Sequence, residues 1–259
     1  MSDPQVSKII PHRLLRVSMA LLMAATAILM PAPIASAESH IYAGHRSPNP
    51  SGATGVNGYV RHSGTIMTDC FNQFLAAFLS IGTGSPSNKW VQIGHTQGTL
   101  LDNCSSSAAR LYAEQNDCNR AKYALWDLGQ TPVPNYPVYV NSTSVTQIDP
   151  CTQGLDTQWA FRVGSLTSAP KAYGYVYQVP SQVDALQELM WTTSRPEINA
   201  NRFGLNDAGQ VQSGYGISVR KSGTWNAWTP TWVPGSYMRE DAPLNVIQTR
   251  AYYAFQVHD

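Results

Sequence analysis

Three polar side chains stand inside segments that otherwise read as apolar strand. Gln92 lies in KWVQIGHTQG (89–98), Glu114 in RLYAEQND (110–117) and Glu188 in ALQELMW (185–191). Glutamate is scarce; the others are Glu38, Glu197 and Glu240. A carboxyl flanked by Leu, Met and Trp is partly desolvated. Desolvation raises its pKa and suits it to proton transfer. A glutamine does not titrate, and offers N–H donors and a carbonyl acceptor at any pH. A lone strand Gln or Glu ordinarily faces solvent, so its neighbours decide the matter. With a period of two, Trp90, Gln92 and Gly94 share one face, and Val91, Ile93 and His95 the other. Tyr112 and Glu114 face together, opposite Leu111, Ala113 and Gln115.

Other catalytic constellations are absent. The chain has no G-x-S-x-G, H-E-x-x-H, P-loop or G-x-G-x-x-G after a strand. His40, His45, His62, His95 and His258 have no metal-ligand spacing, and nothing supports a Ser–His–Asp triad. No metal site is expected.

The elements that must position these residues begin after a leader. Residues 1–16 are polar and basic, VSMALLMAATAILM is an apolar run, and PAPIASA ends with Ala35 and Ala37 framing an A-x-A site. This pattern predicts a signal peptide over 1–37, with a bacterial look, cleaved before Glu38. The run is too short to span a membrane and is broken by Pro31 and Pro33. A secreted, extracellular, soluble monomer is expected, with no membrane attachment after cleavage. The net charge is +1 and no Lys/Arg cluster appears, which argues against nucleic acid as a partner. Cys70, Cys104, Cys118 and Cys151 suggest two disulfides, with three pairings open.

Residues 38–54 read as a flexible polar lead-in. From 55 to 259, short β-branched and aromatic runs alternate with turns rich in Gly, Pro, Asn and Ser. Strands are predicted over 55–62, 71–82, 89–98, 111–115, 135–145, 157–166 and 172–179, with 185–194 ambiguous between helix and strand. Many short strands at near-regular spacing predict a single all-β domain, an antiparallel β-sandwich.

The segment FLAAFLSIGTGSPSNKWVQIGHTQG resembles the first active-site segment of the glutamic peptidases (the eqolisin family). There an aromatic-led strand ends in an I-x-G turn, and a second strand carries a Gln two residues before a Gly. Phe78 to Gly82 and then Gln92-Ile93-Gly94 are similar, although Phe78 stands where the family usually has Trp. Tyr112 and Glu114 resemble the family's aromatic, Glu-bearing strand. Glu188, followed by Phe203-Gly204, resembles its second catalytic segment, although the preceding DALQ differs from the usual pattern. The resemblance implies a concanavalin-like β-sandwich that hydrolyses polypeptide at acidic pH without a cofactor. In that scheme Glu188 is the general base and Gln92 the oxyanion donor, with Phe78, Trp90, Tyr112 and Glu114 around the substrate.

A non-catalytic binding protein for a glycan or cell-surface ligand is the alternative. Trp225, Trp228 and Trp232, or Tyr173, Tyr175 and Tyr177, would stack on sugar rings if exposed, but core packing also accounts for them. A glycan hydrolase would need two acids, and Glu114 and Glu188 form the one plausible pair.

Overall fold

The structure is a computed structural model. It describes residues 39–48, 52–61, 65–66, 72–83, 89–101, 109–117, 123–130, 137–149, 151, 153–177, 182–192, 195, 197–198, 201–205, 210, 216–229, 233, 235–250 and 254–258. All fall in one compact unit, Glu38–Asp259.

The strands, in chain order, are β1 (Ser39–Ser47), β2 (Ala53–Gly58), β3 (Val60–Arg61), β4 (Thr65–Ile66), β5 (Gln73–Thr83) and β6 (Lys89–Gly98). Then come β7 (Arg110–Asn116), β8 (Ala124–Gln130), β9 (Val138–Ile148), β10 (Leu155–Val163), β11 (Ala172–Tyr177) and β12 (Gln182–Trp191). The rest are β13 (Glu197–Ile198), β14 (Asn201–Phe203), β15 (Ser218–Lys221), β16 (Thr224–Ala227), β17 (Tyr237–Glu240), β18 (Asn245–Arg250) and β19 (Ala254–His258). One sheet runs β17-β1-β12-β5-β6-β7-β8 and the other β11-β10-β9-β2-β15-β16. A smaller sheet, β18-β19-β14-β3, adds to the core through Phe203, Phe255 and Val257. The pairings are antiparallel, as the spacing of short strands predicts.

Alternation decides which side of the seven-stranded sheet each residue occupies. On β5, Leu75, Ala77, Leu79 and Ile81 enter the core between the sheets, where they meet Val138, Val140, Trp159 and Phe161. Each such side chain, fully buried, contributes about 1.5–3 kcal/mol. Phe74, Phe78, Ser80 and Gly82, on the other side, line a cavity. The same alternation sends Val91 and Ile93 of β6 inward and turns Trp90 and Gln92 to the cavity. It sends Val183, Ala185 and Leu189 of β12 inward and turns Asp184, Leu186 and Glu188 to the cavity.

Two segments differ from the sequence reading. The ambiguous stretch over 185–194 is strand, because its partners β1 and β5 take both edges of β12 along its length. The lead-in expected over 38–54 contains β1, which lies between β12 and β17. Its polar residues masked the strand pattern, because His40, Tyr42 and Arg46 line the cavity on one face while His45 enters the core on the other.

Among the described residues no helix is long and apolar enough to cross a membrane. Cys151 is disulfide-bonded. Cys70, Cys104 and Cys118 lie outside the described residues.

Candidate functional site

The cavity has a volume of about 580 Å³ and is lined from β1, β5, β6, β7, β12 and β17. That is the size of a small-ligand or peptide side-chain cleft. Its floor is set by register. Arg46 pairs with Asp184, Asp184 with Ser80, Ser80 with Gln92, and Gln92 with Glu114. Five adjacent strands thus present one continuous rung of polar side chains, about 19 Å across at the usual strand spacing.

Each member of the rung is held. Arg46 Nε and Nη2 donate to the two Asp184 carboxylate oxygens at 2.8 and 3.2 Å. Gln182 Nε2 donates to Asp184 Oδ2 at 2.7 Å, and Ser80 Oγ donates to it at 3.4 Å. Burial pushes the Asp184 carboxyl above its ordinary pKa, and Arg46 opposes that shift. Gln92 Nε2 donates to Glu114 Oε2 at 2.6 Å and to the Tyr112 hydroxyl at 3.0 Å. Tyr112 is fully buried beneath the rung, and burial, followed by Glu114 and Glu188, pushes its phenol well up.

Glycine makes this packing feasible. Gly94 pairs with Phe78 on one side and Tyr112 on the other. A Cβ at Gly94 would collide with the Ala77 carbonyl oxygen and with Phe78 Cα. The strands can approach this closely only without a side chain there.

Glu188 stands at the other end of the cavity. Its register partners are Tyr42 on β1 and Ala76 on β5. Ala76 is four residues from Ser80, so the Glu188 rung is about 13 Å along the strand from that of Gln92. Glu188 Oε1 accepts from the Tyr42 hydroxyl at 2.7 Å and lies 2.8 Å from His40 Nδ1. Burial, with Glu188 next, pushes the Tyr42 phenol strongly up. Arg239 lies over the Tyr42 ring, 4.4 Å from its centroid, and pairs with Asp241 at 2.7 Å.

Of the residues singled out from sequence, Phe78, Trp90, Gln92, Glu114 and Glu188 line this one cavity, with Tyr112 bonded to Gln92 beneath it. Gln92 and Glu188 share the cavity but not a rung. Two carboxyls share the rung of Gln92, Glu114 beside it and Asp184 beyond Ser80, and sequence reasoning did not single out Asp184. The signal was available: Asp184 is two strand periods from Glu188 and must share its face. Ser80, Arg46, Tyr42 and His40 were passed over as well, since nothing local marks a Ser or an Arg as cavity-facing.

The aromatic residues divide. Trp228 is fully buried, its indole N–H donating to Ser236 Oγ at 2.8 Å. Trp225 packs edge-on against Tyr139. Tyr173 is exposed. Trp232 and the side chain of Tyr177 lie outside the described residues.

Away from the cavity lining, the buried carboxyls of Asp117, Asp149 and Asp156 bring oxygen atoms within 4.8 Å of one another, as ligands of a cation would be. Lys89 Nζ already lies 3.3 Å from Asp117 Oδ1 and supplies one positive charge there.

No family model matches the sequence, and no curated protein matches it. Solved structures do. The crystal structure of scytalido-glutamic peptidase with a transition state analog inhibitor is similar with a TM-score of 0.50 at 8% identity, over 86% of this chain and 99% of that one. The structure of SCP-B, a member of the Eqolisin family of peptidases in a complex with a tripeptide, is similar with a TM-score of 0.42 at 9% identity, over the same shares of each chain. The likeness at this identity is one of fold: the chain has the antiparallel β-sandwich architecture of the glutamic peptidases, the family that its short motifs resemble.

Proposed function

We propose that the protein is a secreted endopeptidase acting at acidic pH, in which Gln92 works with a carboxyl across the cavity floor. The observation that carries this reading is the rung itself. Asp184 and Gln92 flank the small side chain of Ser80, about 10 Å apart between Cα atoms at the usual strand spacing. Both side chains line the one cavity, which is large enough to admit a peptide bond. The similar structures of glutamic peptidases support the same class.

Two carboxyls in the cavity can serve as the base. Glu188 is the one implied by sequence resemblance. Asp184 shares the rung of Gln92, and burial raises its pKa against the pull of Arg46, as suits a group that takes and returns a proton. The register favours Asp184. In that arrangement the Asp184 carboxylate removes a proton from water as the oxygen bonds to the carbonyl carbon. The carbonyl oxygen becomes an oxyanion, which an amide N–H stabilises. As the C–N bond breaks, Asp184 returns the proton to the leaving amine, releasing an acid and an amine.

The test is digestion of an unstructured protein across acidic to neutral pH by Asp184→Asn, Glu188→Gln and Gln92→Ala. The reading expects at least about a 100-fold loss of kcat in Asp184→Asn and Gln92→Ala, with a smaller effect in Glu188→Gln. Undiminished activity in all three variants would remove the rung from the mechanism. Glu114 and Glu188 line the same cavity, but they stand three strands apart across the sheet and about 13 Å apart along it, which tells against a glycan hydrolase as the second reading. Polysaccharide cleavage with no peptide cleavage would select it instead.

A further inference from the structure

Gln92 has two N–H donors and one carbonyl oxygen. Its amide nitrogen already bonds Glu114 Oε2 at 2.6 Å and the Tyr112 hydroxyl at 3.0 Å, on the buried side of the site. An ionised carboxylate only accepts hydrogen bonds, so it fixes the nitrogen end of the amide against itself. Gln92 and Glu114 are 7% and 6% exposed, too little for water to compete for these bonds. With both donors engaged, the end left to the cavity is the carbonyl oxygen. That end can hold a water but cannot stabilise an oxyanion.

We propose that Glu114 is a positioning residue whose protonation sets which end of the Gln92 amide faces the cavity. Its consequence for catalysis takes the peptidase reading above as premise. When ionised, Glu114 holds the N–H end inward. When protonated, its carboxyl O–H donates to the Gln92 carbonyl oxygen. A half-turn about the last torsion of the side chain, which is soft and roughly two-fold, then turns the N–H end outward. Tyr112 serves both states, because a hydroxyl accepts from the nitrogen in one and donates to the oxygen in the other. Burial and the nearby carboxylates keep that phenol protonated throughout.

Among the described residues Glu114 is the carboxyl bonded to the amide. Gln92 faces it from β6 and Leu125 is its register partner on β8. Tyr112 and Asn116 flank it on β7, and Tyr123 lies just ahead of β8. Asp184 and Glu188 face it across the cavity from β12, each already bonded to groups on β1. The cations Arg46 and Arg239 lie further off, on β1 and β17, bonded to Asp184 and Asp241.

The test follows the side-chain amide of Gln92 by ¹H–¹⁵N NMR from about pH 3 to about pH 7, with its signals identified by their loss in Gln92→Leu. In the wild type the two amide protons should move with a single midpoint. In Glu114→Gln they should stay fixed, and in Glu114→Asp they should move with a displaced midpoint. Peptide cleavage should fall about tenfold per pH unit above the wild-type midpoint and change less than about twofold over that range in Glu114→Gln. Signals that do not titrate in the wild type, or that titrate with the same midpoint in Glu114→Asp or Glu114→Gln, would overturn the proposal. Should Glu114→Gln fail to fold, the midpoint in Glu114→Asp decides. The NMR titration needs no turnover, so a titrating amide in a protein that cleaves no peptide would sink the peptidase reading and leave the amide switch standing.

Discussion

Two histidines set the lower limit of the pH range in which the site can work. His45 on β1 and His95 on β6 are buried, and burial pulls both down to about 4 from an ordinary 6.5. His45 packs edge-on against Phe255, 4.6 Å between ring centroids. A base with a depressed folded-state pKa is neutral when folded, whereas the unfolded chain binds a proton below pH 6.5. The stability it contributes is therefore complete above 6.5 and lost as pH falls toward 4. Each histidine costs about 2 kcal/mol at pH 5 and about 3 kcal/mol at pH 4 relative to pH 7.5. Together they remove about 4 and about 6 kcal/mol, much of the total stability of an ordinary domain. Asp184 acts in the opposite sense: its raised pKa makes the folded state the better proton acceptor as pH falls. Urea melts read by tryptophan fluorescence at these pH values, on the wild type and on His45→Gln/His95→Gln, test this. The double variant should lose no more than about 2 kcal/mol between pH 7.5 and pH 4. An equal loss in both proteins would refute the assignment.

Three further outcomes follow. Gly94→Ala should destabilise by about 2–4 kcal/mol in urea melts, because its methyl meets backbone of β5 and nothing flexible can yield. Trp228→Ala should cost about 3–5 kcal/mol by the same measure, and a cost below about 1 kcal/mol would put the indole at the surface. N-terminal sequencing of protein recovered from the culture medium should begin at Glu38, and a chain retaining residues 1–37 would overturn the proposed export.

The sandwich was legible because its signal is local. Alternation in KWVQIGHTQG alone separates Val91 and Ile93 from Trp90 and Gln92, and the structure sends them to opposite sides of the sheet. Cavity membership was legible where a polar residue interrupted an apolar strand, as at Gln92, Glu114 and Glu188. Registration between strands was not. That Asp184 meets Ser80, and through it the rung of Gln92, depends on a pairing between residues 104 apart in sequence, which no periodicity within one segment encodes. β1 was hidden for a related reason. Polar residues fall on both faces of β1, His40 and Arg46 at the cavity and His45 and Ser47 in the interior, and this erases the contrast by which a strand is read.

The position of β1 also bears on when the site comes into being. The first of the described strands supplies His40, Tyr42 and Arg46, yet it is sandwiched between β12 and β17. A polypeptide emerging amino end first leaves this ribbon without either neighbour until some 140 and then 200 residues have followed. Contacts of such long sequence separation form late and slowly. Asp184 gains its guanidinium and Glu188 its phenol only at that closing step. A cavity assembled this way stays incomplete until nearly the whole chain has been made.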